Sequence, residues 1–422
     1  MAGDTTRRYL QLAVLTLAAG AVYPLIYLRQ NFEVSILETF EISVAQLGQC
    51  YSILGVIFMA TYLPSGWLAD RVAPRGLVAL SLGMTGLLGA WFATVPSFSS
   101  LLVIFTGWGV FAGLTFWAAL IKAVAVLGHH DEQGRFFGIL DGGRGLVEAL
   151  LASIAVGWFA YSLSSLDQPL ATSLVKVIYL YVAFALLLAP LVYFAIDDVR
   201  AEQPEALADQ RESSRLWQDL KLILGKEEVW LAALCINCGY QLFWATYSFS
   251  GYLQNMYGMT AVAVGIITVA KLWMRPIGAV VAGFVGDRYN REKTLAGLMF
   301  AGTVSLAALI VLPAAAGAAV LLAVVLLVGL MTYAIRGIFW STLDSCNIAV
   351  RIKGLAIGVM SLIGYSPDIY LPLLNGYLLE RFPDKIGYSL YFSVIVGMGI
   401  VGTMAAWRLH ILVRRAATAS ES

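Results

Sequence analysis

A chain of 422 residues would ordinarily make two or three soluble domains, but 60% of these residues are hydrophobic, only 13% are charged, and the mean hydropathy is +0.80. Soluble domains carry roughly 25% charged and about 45–50% apolar residues, so the composition excludes a soluble fold and implies an integral membrane protein. The net charge of +1 and pI near 7.6 exclude a basic footprint for nucleic acid.

A membrane helix needs about 20 mainly apolar residues to cross a core of roughly 30 Å. That ruler predicts spans near 9–37, 44–67, 76–95, 98–124, 135–160, 172–196, 229–254, 261–285, 293–313, 316–341, 353–378 and 386–411. The segments are continuously apolar and do not alternate, which excludes a β-barrel. No removable secretory signal is expected before the first span. Between 197 and 228 the chain turns polar. Within that stretch Ser214 precedes Leu216, Trp217, Leu220 and Ile223 at helical spacing. The expected organisation is a six-helix bundle over 1–196, a cytoplasmic linker with an interfacial helix over 197–228, and a second bundle over 229–422. With the N-terminus inside, Arg7, Arg8, Arg71, Arg75, Arg135, Arg288, Arg291, Lys293, Arg351, Lys353, Arg414 and Arg415 all fall on the cytoplasmic side. Both termini are therefore expected in the cytoplasm, with the protein in the inner (plasma) membrane.

The halves repeat one another. Gly66-Trp-Leu-Ala-Asp70-Arg71, followed by Arg75, closes the second span, and Gly283-Phe-Val-Gly-Asp287-Arg288 closes the eighth. Both read G-x-x-x-D-R and are expected in short cytoplasmic turns. Internal repeats of this kind mark secondary transporters. The loop resembles the signature of the major facilitator superfamily, and the resemblance, with twelve spans and a central linker, covers nearly the whole chain. It implies an all-α fold of two pseudo-symmetric six-helix bundles, with Gly66, Asp70, Arg71, Arg75, Asp287 and Arg288 as gating residues. A narrower resemblance, carried by Tyr27-Leu-Arg29-Gln-Asn31-Phe32, Gln46-Leu-Gly48 and Pro74-Arg75, is to the organophosphate:phosphate antiporter branch. There an arginine of the first helix and one of the seventh grip phosphate. Arg29 matches the first, but the repeat places its mate near Thr246, and the seventh span holds no arginine. A carboxylate or another singly charged anion is an equal alternative.

Charges inside the spans point to a polar pathway, since a lipid-facing ion costs about 2.5–3.5 kcal/mol on insertion scales. The fifth span carries Asp141, Arg144 and Glu148 on one stripe, beside Gly142, Gly143 and Gly145, which permit close approach. The eighth carries Lys271 and Arg275, four apart, before Pro276. Two like charges there call for an acid or an anionic ligand between them. The tenth has Arg336. The eleventh has Tyr365-Ser-Pro367-Asp368, a hinge with an acid that could neutralise Lys271 or Arg275. Arg29 and Glu33 are intramembrane if the first helix runs to about residue 37. Tyr27, Trp244 and Tyr365 are candidates to line a cavity with Arg29, Lys271, Arg275 and Arg336.

Other signals have blander readings. Lys122 is expected to snorkel, Gly107, Gly109 and Gly113 to serve helix packing, and Cys50, Cys235, Cys238 and Cys346 to be buried without disulfides. His129-His130 lacks further metal ligands. No metal, cofactor or nucleophile–base constellation is expected, so a membrane enzyme is disfavoured, as is a metabolite sensor without a signalling domain. The expectation is a monomeric carrier of a small anionic metabolite working by alternating access. Coupling to protons is expected to run through Glu148, with phosphate-ester exchange as the alternative.

Overall fold

Among the described residues, 2–127, 132–197, 212–313, 317–348, 352–382 and 385–421, every regular element of the computed structural model is helical. Twelve helices are long and apolar enough to cross a membrane. In hydrocarbon each backbone N–H and C=O must be satisfied within the chain, and a continuous helix does this locally. The spans run Thr5–Phe40, Val44–Tyr62, Pro74–Phe92, Phe98–Leu127, Arg135–Ser164 and Leu170–Ala195, then Glu227–Tyr257, Ala261–Gly286, Arg291–Val311, Ala318–Leu343, Leu355–Arg381 and Lys385–Arg415. Between the sets lies the helix Glu212–Leu224, with Ile223 buried and Trp217 and Leu222 exposed.

Local chemistry sets the ends. The second helix starts with a capping box, in which Ser43 Oγ accepts from Gln46 N while Gln46 Oε1 accepts from Ser43 N. It continues to Arg71, so the G-x-x-x-D-R motif is the last turn and a half of a helix, not the expected loop. The repeat copy is likewise helical to Arg288. The first copy stops where Val72 turns extended (φ −115°, ψ 141°), two residues before Pro74.

Contacts gather into two compact units. The first holds residues 1–203 together with 248–273 and 372–381; the second holds 204–247, 274–371 and 382–422. In the first unit, glycine removes the side chain wherever helices must nearly touch. A Cβ on Gly107 would fall 2.8 Å from Leu88, and one on Gly109 2.8 Å from Ile57. Gly113, in a π turn at Phe111–Phe116, faces Thr61, as the packing reading requires. A Cβ on Gly265 of the eighth span would sit 2.9 Å from Val156 of the fifth. Segment 372–381 lies against the start of the second span at Gly48 and Gly376, and Glu380 Oε1 accepts from Ala45 N at 3.2 Å.

In the second unit, Gly278 and Gly337 bring the eighth and tenth spans together, and Gly399 and Gly402 bring the twelfth onto Thr303 and Met299 of the ninth. The four cysteines are buried, and none forms a disulfide among the described residues.

Candidate functional site

Polar chemistry collects where four spans break. The first span is interrupted at Tyr27-Leu28, one turn after Pro24, whose missing N–H and ring weaken the helix there. Gln30 N turns to Tyr27 O, so Ile26 O is released, and the Tyr51 hydroxyl donates to it at 2.9 Å. The helix resumes at Arg29 and runs to Phe40, with a second irregularity at Phe32 (φ −132°, ψ 31°). The long first span is thus present, and Arg29 and Glu33 are 1% and 0% exposed.

Arg29 donates to Glu33 Oε2 from Nη2 at 2.8 Å and from Nε at 3.3 Å. Its guanidinium lies 5.2 Å from the Tyr51 ring, on which Tyr27 stacks at 5.7 Å. Cation–π attraction strengthens as water is excluded, so the aromatic wall holds the cation in place. Glu33 Oε1 is buried without a hydrogen-bond partner among the described residues.

The eighth span is interrupted at Trp273, between helices Ala261–Leu272 and Met274–Arg288. Trp273 Nε1 donates to Ser153 Oγ at 3.3 Å. Lys271 is 0% exposed, its Nζ has no hydrogen-bond partner among the described residues, and it stands 6.0 Å from the Phe249 ring. Glu148 of the fifth span is its electrostatic partner. By contact, Lys271 groups with the first unit and the half-buried Arg275 with the second.

On the fifth span, Arg144 places its guanidinium 5.5 Å from the Tyr23 ring and 5.2 Å from that of Trp117. Gly143 admits Thr16 of the first span. Asp141 is exposed and Glu148 half-buried.

In the second unit the centre is Asp368, 3% exposed. The eleventh span breaks at Tyr365-Ser366, immediately before Pro367, and Asp368 opens the next helix. Its Oδ1 accepts from Tyr240 Oη and from Trp244 Nε1, both at 2.7 Å. Arg336 is its electrostatic partner and lies 4.1 Å from the Phe243 ring and 5.7 Å from that of Tyr240. Arg336 of the tenth span thus answers the charge of Asp368, a partner that the sequence reading did not name. Tyr365 meets Tyr240 edge-on at 4.9 Å, and its hydroxyl accepts from Trp340 Nε1 at 3.0 Å.

Two residues of this cluster went unread in the sequence. Asn237 Nδ2 donates to Ile363 O at 2.8 Å, a carbonyl to which Ser366 Oγ also donates at 2.8 Å, and to Ser366 Oγ at 3.1 Å. Gln241 Nε2 donates to Asn237 Oδ1 at 2.7 Å. The available signal was spacing, since Asn237, Tyr240, Gln241 and Trp244 recur at three, four and seven and form one polar face of an apolar helix.

At the motif ends, Arg71 stacks on Trp67 at 4.1 Å and Arg75 lies 5.2 Å from the Tyr193 ring. Arg288 lies 5.9 Å from that of Tyr289. Lys122 does not snorkel freely: its Nζ donates to Ala69 O at 2.7 Å and caps the second helix. A Cβ on Gly66 would meet nothing within 4 Å. The side chains of Asp70 and Asp287, and the pair His129-His130, lie outside the described residues.

Twelve spans, an internal motif repeat, and buried ion pairs walled by aromatics at helix breaks define a polytopic membrane transporter. The chain belongs to the Major Facilitator Superfamily, whose model matches residues 10–372. It is similar to two inner membrane proteins of Escherichia coli (strain K12), YihN at 26% identity and YqcE at 27%. Either alignment takes in 95% of this chain, with 95% and 94% of the relatives. A D-galactonate transporter of Escherichia coli O6:H1 is 23% identical over 94% of both chains. Among solved structures the nucleoside transporter NupG (D323A mutant) superposes with a TM-score of 0.74 at 15% identity, covering 95% of this chain and 99% of that one. That likeness speaks for the fold alone.

Proposed function

We propose that this transporter carries a small organic anion of the sugar-acid class, a polyhydroxy monocarboxylate, across the inner membrane by alternating access, both termini being cytoplasmic. The observation that carries this reading is the Lys271 ammonium, fully buried and without a hydrogen-bond partner among the described residues. A buried cation whose donors find no acceptor is costly, and the electrostatic partner Glu148, half-buried, leaves the hydrogen-bonding capacity of Lys271 Nζ unused. A substrate carboxylate supplies the missing acceptors. Arg29, backed by Glu33 and Tyr51, is the second anchor of the same unit. Arg336, Arg275, Tyr27, Trp244 and Tyr365 complete the residues assigned to substrate recognition. The relative described as a D-galactonate transporter fits a singly charged polyol acid.

Glu148 is the proposed coupling group. A carboxylate beside Lys271 can exchange its proton as the ammonium changes partner between Glu148 and the substrate. Packing of segments 248–273 and 372–381 within the first unit is, in this reading, the closed outer gate. The seventh span offers no arginine for a doubly charged phosphate ester, which favours a monocarboxylate over phosphate exchange.

Proteoliposomes holding the purified chain are expected to accumulate labelled hexonate under an inward pH gradient, with Lys271→Ala inactive. Uptake that ignores the gradient but requires internal substrate would replace symport with exchange. Uptake of a neutral nucleoside or hexose in place of the acid overturns the proposal.

A further inference from the structure

Away from these clusters, the ninth and twelfth spans part at the basic end of the second unit and leave a groove of about 550 Å³. Lys293, Gly297 and Phe300 line it from the ninth span, and Met404, Trp407 and Arg408 from the twelfth. The spans touch closely further along, at Gly399 and Gly402, so the groove is a local opening between packed helices. Gly297 keeps it open, since a Cβ there would meet nothing within 4 Å. Phe300, Met404 and Trp407 are exposed along it.

Its rim is charged. Lys293 is exposed and makes no ion pair among the described residues. Arg408 bonds Glu227 Oε1 through Nε alone at 3.1 Å, leaving the two Nη groups for another acceptor. The twelfth span carries Arg414 and Arg415 further on, both exposed. From Lys293 to Phe300 is seven residues, about 10 Å of helix, so the rim leads into an apolar shaft.

We infer that this groove is a binding site for an anionic phospholipid, its phosphate held between Lys293 and Arg408 and an acyl chain lying along Phe300 and Met404 beside Gly297. Two cations answered by one carboxylate leave a positive surplus, which an anionic headgroup matches and a zwitterionic one does not. Trp407 adds to the rim an exposed indole, a group that favours the headgroup boundary. The volume falls within the roughly 300–1,000 Å³ of small-molecule sites.

The test is native mass spectrometry of the full-length protein, titrated with an equimolar mixture of phosphatidylglycerol and phosphatidylcholine. The wild type is expected to retain phosphatidylglycerol preferentially. Lys293→Gln is expected to cut that preference about five-fold, the contribution of one basic residue near an anionic headgroup. Gly297→Leu fills the shaft and is expected to reduce retention of both lipids; it enters open space, so thermal unfolding in lipid-free detergent stays at the wild-type value. No preference in the wild type, or one that survives both variants, overturns the inference. A dimer that Gly297→Leu abolishes would assign the groove to a second copy of the chain and overturn it equally.

Discussion

At the scale of single residues, the two buried cations of the first unit differ in what holds them. Arg29 is tied to Glu33 and stacked on Tyr51, so removing it leaves a carboxylate stranded in an apolar wall. Arg29→Ala is expected to cost about 3–5 kcal/mol of stability, the usual penalty for an orphaned buried charge. The double change Arg29→Met with Glu33→Met should restore folding but not transport. Thermal unfolding and uptake on the same preparations check both statements; a transport-competent double variant would make the pair structural.

Lys271 gives the opposite sign. It loses no described hydrogen bond on substitution, and its partner Glu148 is half-buried and keeps some solvation. Lys271→Met is therefore expected to leave the melting temperature unchanged or raised by a few degrees while abolishing substrate-dependent stabilisation. A marked fall in melting temperature without substrate would mean that the ammonium is structural.

The residues legible in the sequence were those whose charge contradicts a lipid setting: Arg29, Glu33, Glu148, Lys271, Arg336 and Asp368. Arg29 and Glu33 stand one turn apart and pair as that spacing allows, but partners on other spans were not legible, because they depend on helix packing. Lys271 and Arg275 stand one turn apart in the sequence, yet by contact they group with different units, which no local pattern announces. Asn237 and Gln241 were overlooked because uncharged amides barely disturb a hydropathy count.

At the scale of elements, breaks in spans one, seven, eight and eleven organise the polar groups. Pro24, Pro276 and Pro367 lie at or near three of them. The seventh breaks at Thr246–Ser248 without a proline. Side chains bond backbone carbonyls at two of these breaks, Tyr51 at Ile26 and Asn237 at Ile363. Pro367 announced one hinge in the sequence, but which side chains would bond the carbonyls at the breaks required the packed structure.

The second element-scale feature is glycine where segment 372–381 meets the second span. A Cβ on Gly48 would fall 2.4 Å from Pro372 O, a backbone atom that cannot swing aside. Gly48→Ala is expected to loosen segment 372–381 and raise its amide hydrogen exchange, with slower net uptake. Gly66→Ala, whose Cβ meets nothing, serves as the control and leaves that exchange unchanged. Equal protection in both variants would remove the gate role from this contact.

At the scale of the whole molecule, twelve spans and the repeated G-x-x-x-D-R were readable from hydropathy and spacing because lipid leaves the backbone so few choices. Grouping by contact was not, since segments 248–273 and 372–381 pack with the N-terminal unit and no local pattern announces it. Coupling also belongs to this scale. Glu148→Gln is expected to abolish uphill uptake driven by a pH gradient while preserving exchange of labelled for unlabelled substrate. Loss of both activities together would make Glu148 a support for Lys271 and not a proton carrier.

The central claim, that a buried cation selects an anionic substrate, is tested most directly by calorimetric titration of the purified protein with a hexonate and with the neutral hexose of the same carbon skeleton, repeated on Lys271→Met. The account predicts saturable binding of the hexonate to the wild type, none of the hexose, and loss of hexonate binding in the variant. Equal affinity for the neutral sugar, or hexonate binding undiminished in Lys271→Met, would contradict it.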